Sequence, residues 1–320
     1  MPEIKLYEKE EIIEILSSYG VSKTDAEITA DVMTVADKCG VLTHGSKMLP
    51  TYIKKLSENG FNLNPDFKVI RETNSFAVLD GDNSIGFVSA VHSMEYAIRK
   101  AKENGMFTVF SRNNNTFGPA FYYPLLAAKS GMIGIISSNS PAQMAPIGGR
   151  EKMLGTNPFA AAIPIADKDP IIIDMASSIV AKSKFAYYKE QGKKLPDGWA
   201  LDENGEPTND PDSAIKGFIM PMAGHKGYAI AMLIDILSGV MSGAAYLDTV
   251  GRFYTDSKNG MNVGFMCTVI DPYAVLGEEY DERIKDFEEK LRNTKTIKDN
   301  IITLPGDRKH RAFRQNEEKL

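Results

Sequence analysis

Residues 228–247 read YAIAMLIDILSGVMSGAAYL, an apolar run close to the length of a membrane span. Asp235 interrupts it, and Ser238, Gly239, Ser242 and Gly243 crowd its second half. No partner span is evident elsewhere in the sequence. A helix that is apolar all round and punctuated this way reads as a buried helix of a soluble protein. Such a helix needs other elements to cover it. Phe76–Leu79, Phe107–Ser111, Gly131–Ser137, Phe159–Ile165 and Ile171–Met175 are strand-like upstream of it, and Gly264–Ile270 downstream. Between them the spacing predicts helices over Glu8–Ser18, His44–Leu56, Ala90–Lys102, Tyr122–Lys129 and the charged stretch Asp281–Arg292. Thr24 and Glu27 form a T-x-x-E capping box that opens a further helix running toward Cys39. Strands and helices are mixed, so the class is α/β or α+β. A change of texture near Asn62–Asp66 divides an N-terminal helical segment, 1–65, from a main α/β region, 66–320. Asp197–Pro211 is a turn-rich loop holding the only tryptophan, Trp199, and the last residues read as a polar tail.

The composition fits this picture. Of 320 residues, 43% are hydrophobic and 25% charged, which suits a globular chain with a sizeable core. The formal net charge of -5 gives no electrostatic reason to expect nucleic acid as a partner. The start, MPEIKLYEKEEIIEILSSYG, lacks the uncharged apolar stretch of a secretory signal. Cys39 and Cys267 are far apart and outside any C-x-x-C, so a reducing, cytoplasmic setting is expected and no zinc ribbon. No metal site is expected, because no Cys/His cluster has ligand spacing.

G-x-G-x-x-G and the P-loop pattern are both absent, so a Rossmann or P-loop reading has no direct support. The chemistry must be sought among four histidines and a few polar loops. His44, in VLTHGSKMLPTY, stands at the head of a helical pattern. There a helix dipole would favour the neutral imidazole, with Lys47, Met48 and Tyr52 on the same face; the alternative is a helix cap. His225 and Lys226 precede the long apolar run, where helix amides and a lysine suit a phosphate; the alternative is a plain glycine turn. Thr156 and Asn157 lie just before a buried strand and either position a polar ligand or form an Asx turn. Asp174 closes the strand IIID and suits a ribose hydroxyl, a histidine or a helix N-cap. His92 reads as packing, and His310, in DRKHRAFR, as solvated or in an interface.

THG at 43–45, RNNNTFG at 112–118, APIGG at 145–149, GTNP at 155–158, DMASS at 174–178, HKGYA at 225–229 and LPGD at 304–307 occur in one order. That order resembles the malate/L-lactate dehydrogenase family of NAD(P)-dependent oxidoreductases, over nearly the whole chain. The family also holds ureidoglycolate, sulfolactate and diketogulonate dehydrogenases and cyclic-imine reductases. The resemblance implies a non-Rossmann α/β fold, NAD or NADP as cofactor, a small 2-hydroxy or 2-oxo acid as substrate, and a homodimer. It assigns His44 as proton donor and acceptor. It assigns Ser140, Asp174, Met175, Ala176, Lys226, Pro305, Gly306 and Asp307 to the cofactor. Thr156 falls on the substrate pocket, and Asp174 is also a candidate to orient His44. Two positions depart from the pattern. Thr116 stands where the family usually has histidine, and Met48 where it usually has the arginine that grips a carboxylate. Lys47 is the nearest replacement as a point charge, although lysine lacks the bidentate fork. Lys182 and Lys184 are candidates for a cofactor 2′-phosphate. Two further readings stay open: reduction of a cyclic imine or non-carboxylate ketone, and a catalytically silent cofactor-binding protein.

Overall fold

The computed structural model describes residues 5–298 and 300–317; the very start of the N-terminal stretch and the end of the expected tail lie outside the described residues. Three helices come first: α1 (Lys9–Ser18), α2 (Lys23–Lys38) and α3 (Leu49–Ser57). Ser22, not Thr24, caps α2: its hydroxyl accepts from Asp25 N at 3.1 Å, so the expected T-x-x-E box does not form. An N-cap must sit outside the helical dihedrals, and Thr24 is already inside the first turn.

The centre is a seven-stranded sheet of β1 (Lys68–Glu72), β2 (Phe76–Asp80), β3 (Met106–Asn114), β4 (Ile133–Ser138), β5 (Phe159–Ile165), β6 (Lys168–Met175) and a late strand described below. Helix α4 (Gly86–Asn104) connects β2 to β3, which pair in parallel, and α5 (Tyr122–Lys129) connects β3 to β4. Then come α6 (Ser183–Glu190), a small sheet of β7 (Ala200–Leu201), β8 (Pro207–Thr208) and β9 (Phe218–Ile219), and α7 (Pro211–Lys216). Helix α8 (His225–Asp235) leads to the late strand β10 (Val263–Ile270), and α9 (Pro272–Leu276), α10 (Glu279–Arg292) and α11 (Asp307–Glu317) end the chain. The sheet order is β1-β2-β3-β10-β4-β5-β6, and every neighbouring pair except β2 and β3 is antiparallel. The expected α/β class is therefore observed.

One large core joins the N-terminal helices to the sheet: Ile12, Leu16, Met33 and Leu49 are buried with Phe87, Phe107, Val109 and Phe265. A second, smaller core of Met144, Leu154, Phe185, Leu195 and Ile219 underlies the three-stranded sheet. β1 was not anticipated. It is an edge strand exposed along its whole length, so it carries no alternation to read, and its Lys68, Arg71 and Glu72 suit an open edge.

Two sequence expectations change here. The stretch 228–247 is not a single helix buried all round. It is α8, then a wider π turn over Ile236–Val240, and Met232, Leu233, Ile236, Val240 and Met241 are 43–55% exposed. Its other side meets the sheet, where the Ser238 and Ser137 hydroxyls lie 3.0 Å apart. Asp235 is buried and accepts from Leu247 N at 3.0 Å. The expected polar tail is largely a helix, α11. Arg292 makes a two-pronged pair with Asp307 (3.0 Å each) at its start, and its His310 donates to or accepts from the Pro170 backbone at 2.8 Å.

Candidate functional site

Loops and strand ends from several parts of the chain converge on a cavity of about 770 Å3 between the two cores. That volume lies within the usual range of small-molecule sites, roughly 300–1,000 Å3. His44, Thr116, Ser140, Thr156, Asp174, Met175 and Ala176 all line it.

His44 is held differently from the expectation. Leu42–His44 and Ser46–Met48 are two tight 3-10 turns separated by extended Gly45, and α3 starts after them. No helix dipole therefore acts on the ring. Burial, not a dipole, lowers the His44 pKa, with the Asp174 charge opposing it. Nδ1 is buried and has no hydrogen-bond partner among the described residues. The turn is fastened by Asp37, whose Oδ2 accepts from Ser46 N at 2.9 Å. Gly45 has an ordinary φ of -96°; its role is space, since a Cβ there would lie 1.8 Å from Asp37 Oδ1.

The asparagines before Thr116 are structural. Asn113 has φ 54° and donates to Asp80 Oδ1 at 3.0 Å, and Asn115 donates to the Ser84 carbonyl at 2.9 Å. They hold the end of β3 so that Thr116 reaches the cavity wall. Asn157 ties the opposite wall: its Oδ1 accepts from Ser140 N (3.0 Å) and its Nδ2 donates to the Ala231 carbonyl (2.9 Å). The Asn157 side chain is thus committed to the fold, and Thr156 is left to face the cavity. Asp174 lies within β6, paired with Ala160, so it caps no helix. It makes no hydrogen bond with His44; its partner is Lys309 of α11, at 3.0 Å.

Several candidates lie elsewhere. Met48 is buried in the large core, and Lys47 is exposed and off the cavity wall. Tyr52 is fully buried among Phe61, Phe87 and Phe253, with its hydroxyl unpartnered among the described residues. Lys226 is exposed at the start of α8, outside the cavity lining. Pro305, Gly306 and Asp307 pin α11 to β6: the Pro305 carbonyl accepts from Ile172 N (3.1 Å) and Asp307 accepts from Leu304 N (2.9 Å). Lys184 reaches over Tyr187 instead of into the cavity, whereas Lys182 lines it and donates to Gln143 Oε1 at 2.7 Å.

Two residues on or behind the wall escaped the sequence reading. Arg252 lines the cavity with no carboxylate within ion-pair distance among the described residues. Its one sequence signal was a cation in a loop before a strand, too common to single out. Lys309 was hidden in a basic segment read as tail. Arg252 and Lys182, with Lys152 close by, form a cationic side of the cavity; burial and mutual repulsion lower the pKa of Lys182.

The malate/L-lactate dehydrogenase family profile matches residues 7–319. The malate dehydrogenase of Pyrococcus horikoshii is 40% identical over 293 residues, covering 89% of this chain and 80% of that protein. The L-sulfolactate dehydrogenase of Methanocaldococcus jannaschii is 38% identical over 301 residues, covering 94% and 87%. Among solved structures, the sulfolactate dehydrogenase from Methanocaldococcus jannaschii superposes with a TM-score of 0.91 at 37% identity, covering 96% of this chain and 89% of that one. With sequence and fold agreeing over almost the entire length, the chain belongs to the malate/L-lactate dehydrogenase family.

Proposed function

We propose that this NAD(P)-dependent dehydrogenase moves a hydride between its cofactor and a small 2-hydroxy or 2-oxo acid, with His44 exchanging the proton. One observation carries the reading: His44, Thr116, Ser140, Thr156 and Asp174, scattered along the sequence, face one cavity. The residues present suit a nicotinamide dinucleotide. The wall offers the Ser140 hydroxyl and the segment Asp174–Ala176, and Lys182 and Arg252 supply uncompensated positive charge. Lys226, Pro305, Gly306 and Asp307 remain assigned to the cofactor by resemblance, helped at Lys226 by the anion affinity of a helix start. When bound, the nicotinamide ring supplies or accepts the hydride, chemistry that belongs to the cofactor.

His44 does the acid–base work. Its lowered pKa leaves it neutral near pH 7, ready to take the hydroxyl proton as an alcohol is oxidised. In the reverse direction its protonated form donates to the developing alkoxide. Oxidation efficiency should therefore rise with pH up to a pKa below the ordinary ~6.5 and then level off, while reduction falls over the same interval. Thr116 cannot titrate there and serves as a hydrogen-bonding contact. Because Lys47 and Met48 face away from the cavity, the substrate carboxylate would be gripped by Arg252, leaving Lys182 to the cofactor.

The test is fluorescence titration of the wild-type chain and His44→Ala with NADH and NADPH. Saturable binding by both proteins is the expected result, and binding by neither would discard the oxidoreductase reading. Preference between the two cofactors then reads the role of Lys182. The burial of Met48 gives weight to one other substrate class, a cyclic imine or neutral ketone. A screen of 2-oxo acids against those compounds, repeated with Arg252→Ala, separates them: an acid substrate loses about tenfold or more in KM with that variant. Binding without turnover on any of them would point to a silent cofactor-binding protein.

We further infer a cytoplasmic homodimer. The uncovered apolar face of α8 and the π turn is the surface a second copy would bury. Ile236→Glu should convert a dimer to a monomer in light scattering. Among the described residues no helix is long and apolar enough to cross a membrane.

A further inference from the structure

Asp174 is the one carboxylate on the cavity wall among the described residues. Helix α11 is fixed across the end of its strand. Ile172 N donates to the Pro305 carbonyl, and Gly306 takes φ 102°, where a Cβ would lie 2.8 Å from Ile172 N. Asp307 is clamped by Arg292. This construction delivers Lys309 to Asp174, Nζ to Oδ2 at 3.0 Å. The two side chains are 21% and 19% exposed, so the pair is shielded far more than an ordinary surface ion pair. Lys309 Nζ also lies 5.1 Å from the Phe121 ring centroid, which further confines it.

Other groups around His44 are few. Asp37 of α2 has its carboxylate engaged with Ser46 N, and Cys39 follows the end of that helix. Lys182 and Arg252 face the same cavity from loops after β6 and before β10. Asp174 shares the cavity wall with His44 and its negative charge favours a protonated ring, and Lys309 is the cation placed against it.

We propose that Lys309 is a positioning residue: it holds and neutralises Asp174, and so sets the charge that His44 meets in the cavity. The catalytic consequence rests on His44 exchanging the proton, but the electrostatic claim stands apart from it. An imidazole beside an uncompensated carboxylate prefers to be charged, and a compensated carboxylate exerts little pull. Burial keeps His44 neutral near pH 7, and the cation that tempers the opposing pull of Asp174 arrives from the last helix of the chain.

The experiment is an NMR titration of the imidazole ring protons in the full-length chain, with four histidines to resolve and His44→Gln to assign the signal. Lys309→Met should move the His44 titration upward by roughly half a unit or more, and Lys309→Arg should restore it. Asp174→Asn should move it downward, because Lys309 is then unopposed; this arm remains readable if Lys309→Met folds poorly. An unmoved His44 titration in Lys309→Met, or an upward shift in Asp174→Asn, overturns the proposal. The pH profile of kcat/KM is measured on the same variants. If it follows the NMR shift, both claims hold. If the NMR signal moves and the profile does not, Lys309 keeps its role and His44 loses its own.

Discussion

Residues 41–48 and residues 304–309 both bring a charge-bearing side chain within electrostatic reach of Asp174, and each turns on a glycine. The reasons for the glycines differ. Gly45 has ordinary dihedrals and is small because the Asp37 carboxylate occupies the space of a Cβ. Gly306 sits at φ 102°, where side chains are rarely tolerated, and also presses on the backbone of β6. The first glycine protects a hydrogen bond to one turn, the second the docking of a whole helix. In the first region the motif residue itself, His44, reaches the cavity. In the second the motif residues, Pro305, Gly306 and Asp307, build the support and the working side chain is Lys309, just past them. A motif can thus mark a side chain that faces the cavity or the bracket that carries one.

Four substitutions would break or sharpen that contrast. His44→Ala should lower turnover by roughly 10²–10⁴-fold while leaving cofactor affinity nearly unchanged; steady-state kinetics with an intact turnover number would remove His44 from the mechanism. Gly45→Ala should cost roughly 10- to 100-fold in turnover, because rotating Asp37 aside releases Ser46 N and shifts the His44 turn. Its fold should survive, as circular dichroism would report. Gly306→Ala should act chiefly on stability, by about 1–3 kcal/mol in denaturant unfolding, since both dihedral strain and a backbone contact oppose the new methyl. Equal effects of the two glycine variants on turnover and stability would erase the distinction drawn between them. Lys47→Ala should change KM for an acid substrate less than twofold, because Lys47 is exposed and off the cavity wall.

Much of this was legible in the chain itself. Phe159–Ile165 and Tyr122–Lys129 are a strand and a helix with the bounds that their patterns predict. His44, Thr116, Ser140, Thr156 and the Asp174 segment, all named from the sequence, line one cavity. What escaped was set by partners distant in sequence. Nothing local to Met48 says that the large core takes it, since a thioether suits a pocket wall or a core equally. Lys309 looked like one more cation in a basic segment, because its meaning comes from Asp174 on another element. The long apolar run hid a π turn and an uncovered face, since hydropathy reports composition and not which neighbours arrive.

The place of β10 bears on how the molecule is made. This strand lies between β3 and β4, pairing antiparallel with both, yet it is the last strand in the sequence. Until residues 263–270 leave the ribosome, the middle of the sheet is a gap with two unsatisfied edges. The nascent protein must carry that gap while the residues between β4 and β10 are made, and closing it demands contacts of large sequence separation. High contact order of this kind slows folding and exposes sticky intermediates. Chain termination between β4 and β10 would thus leave a product with two open sheet edges at its centre, a substrate for chaperones or proteases.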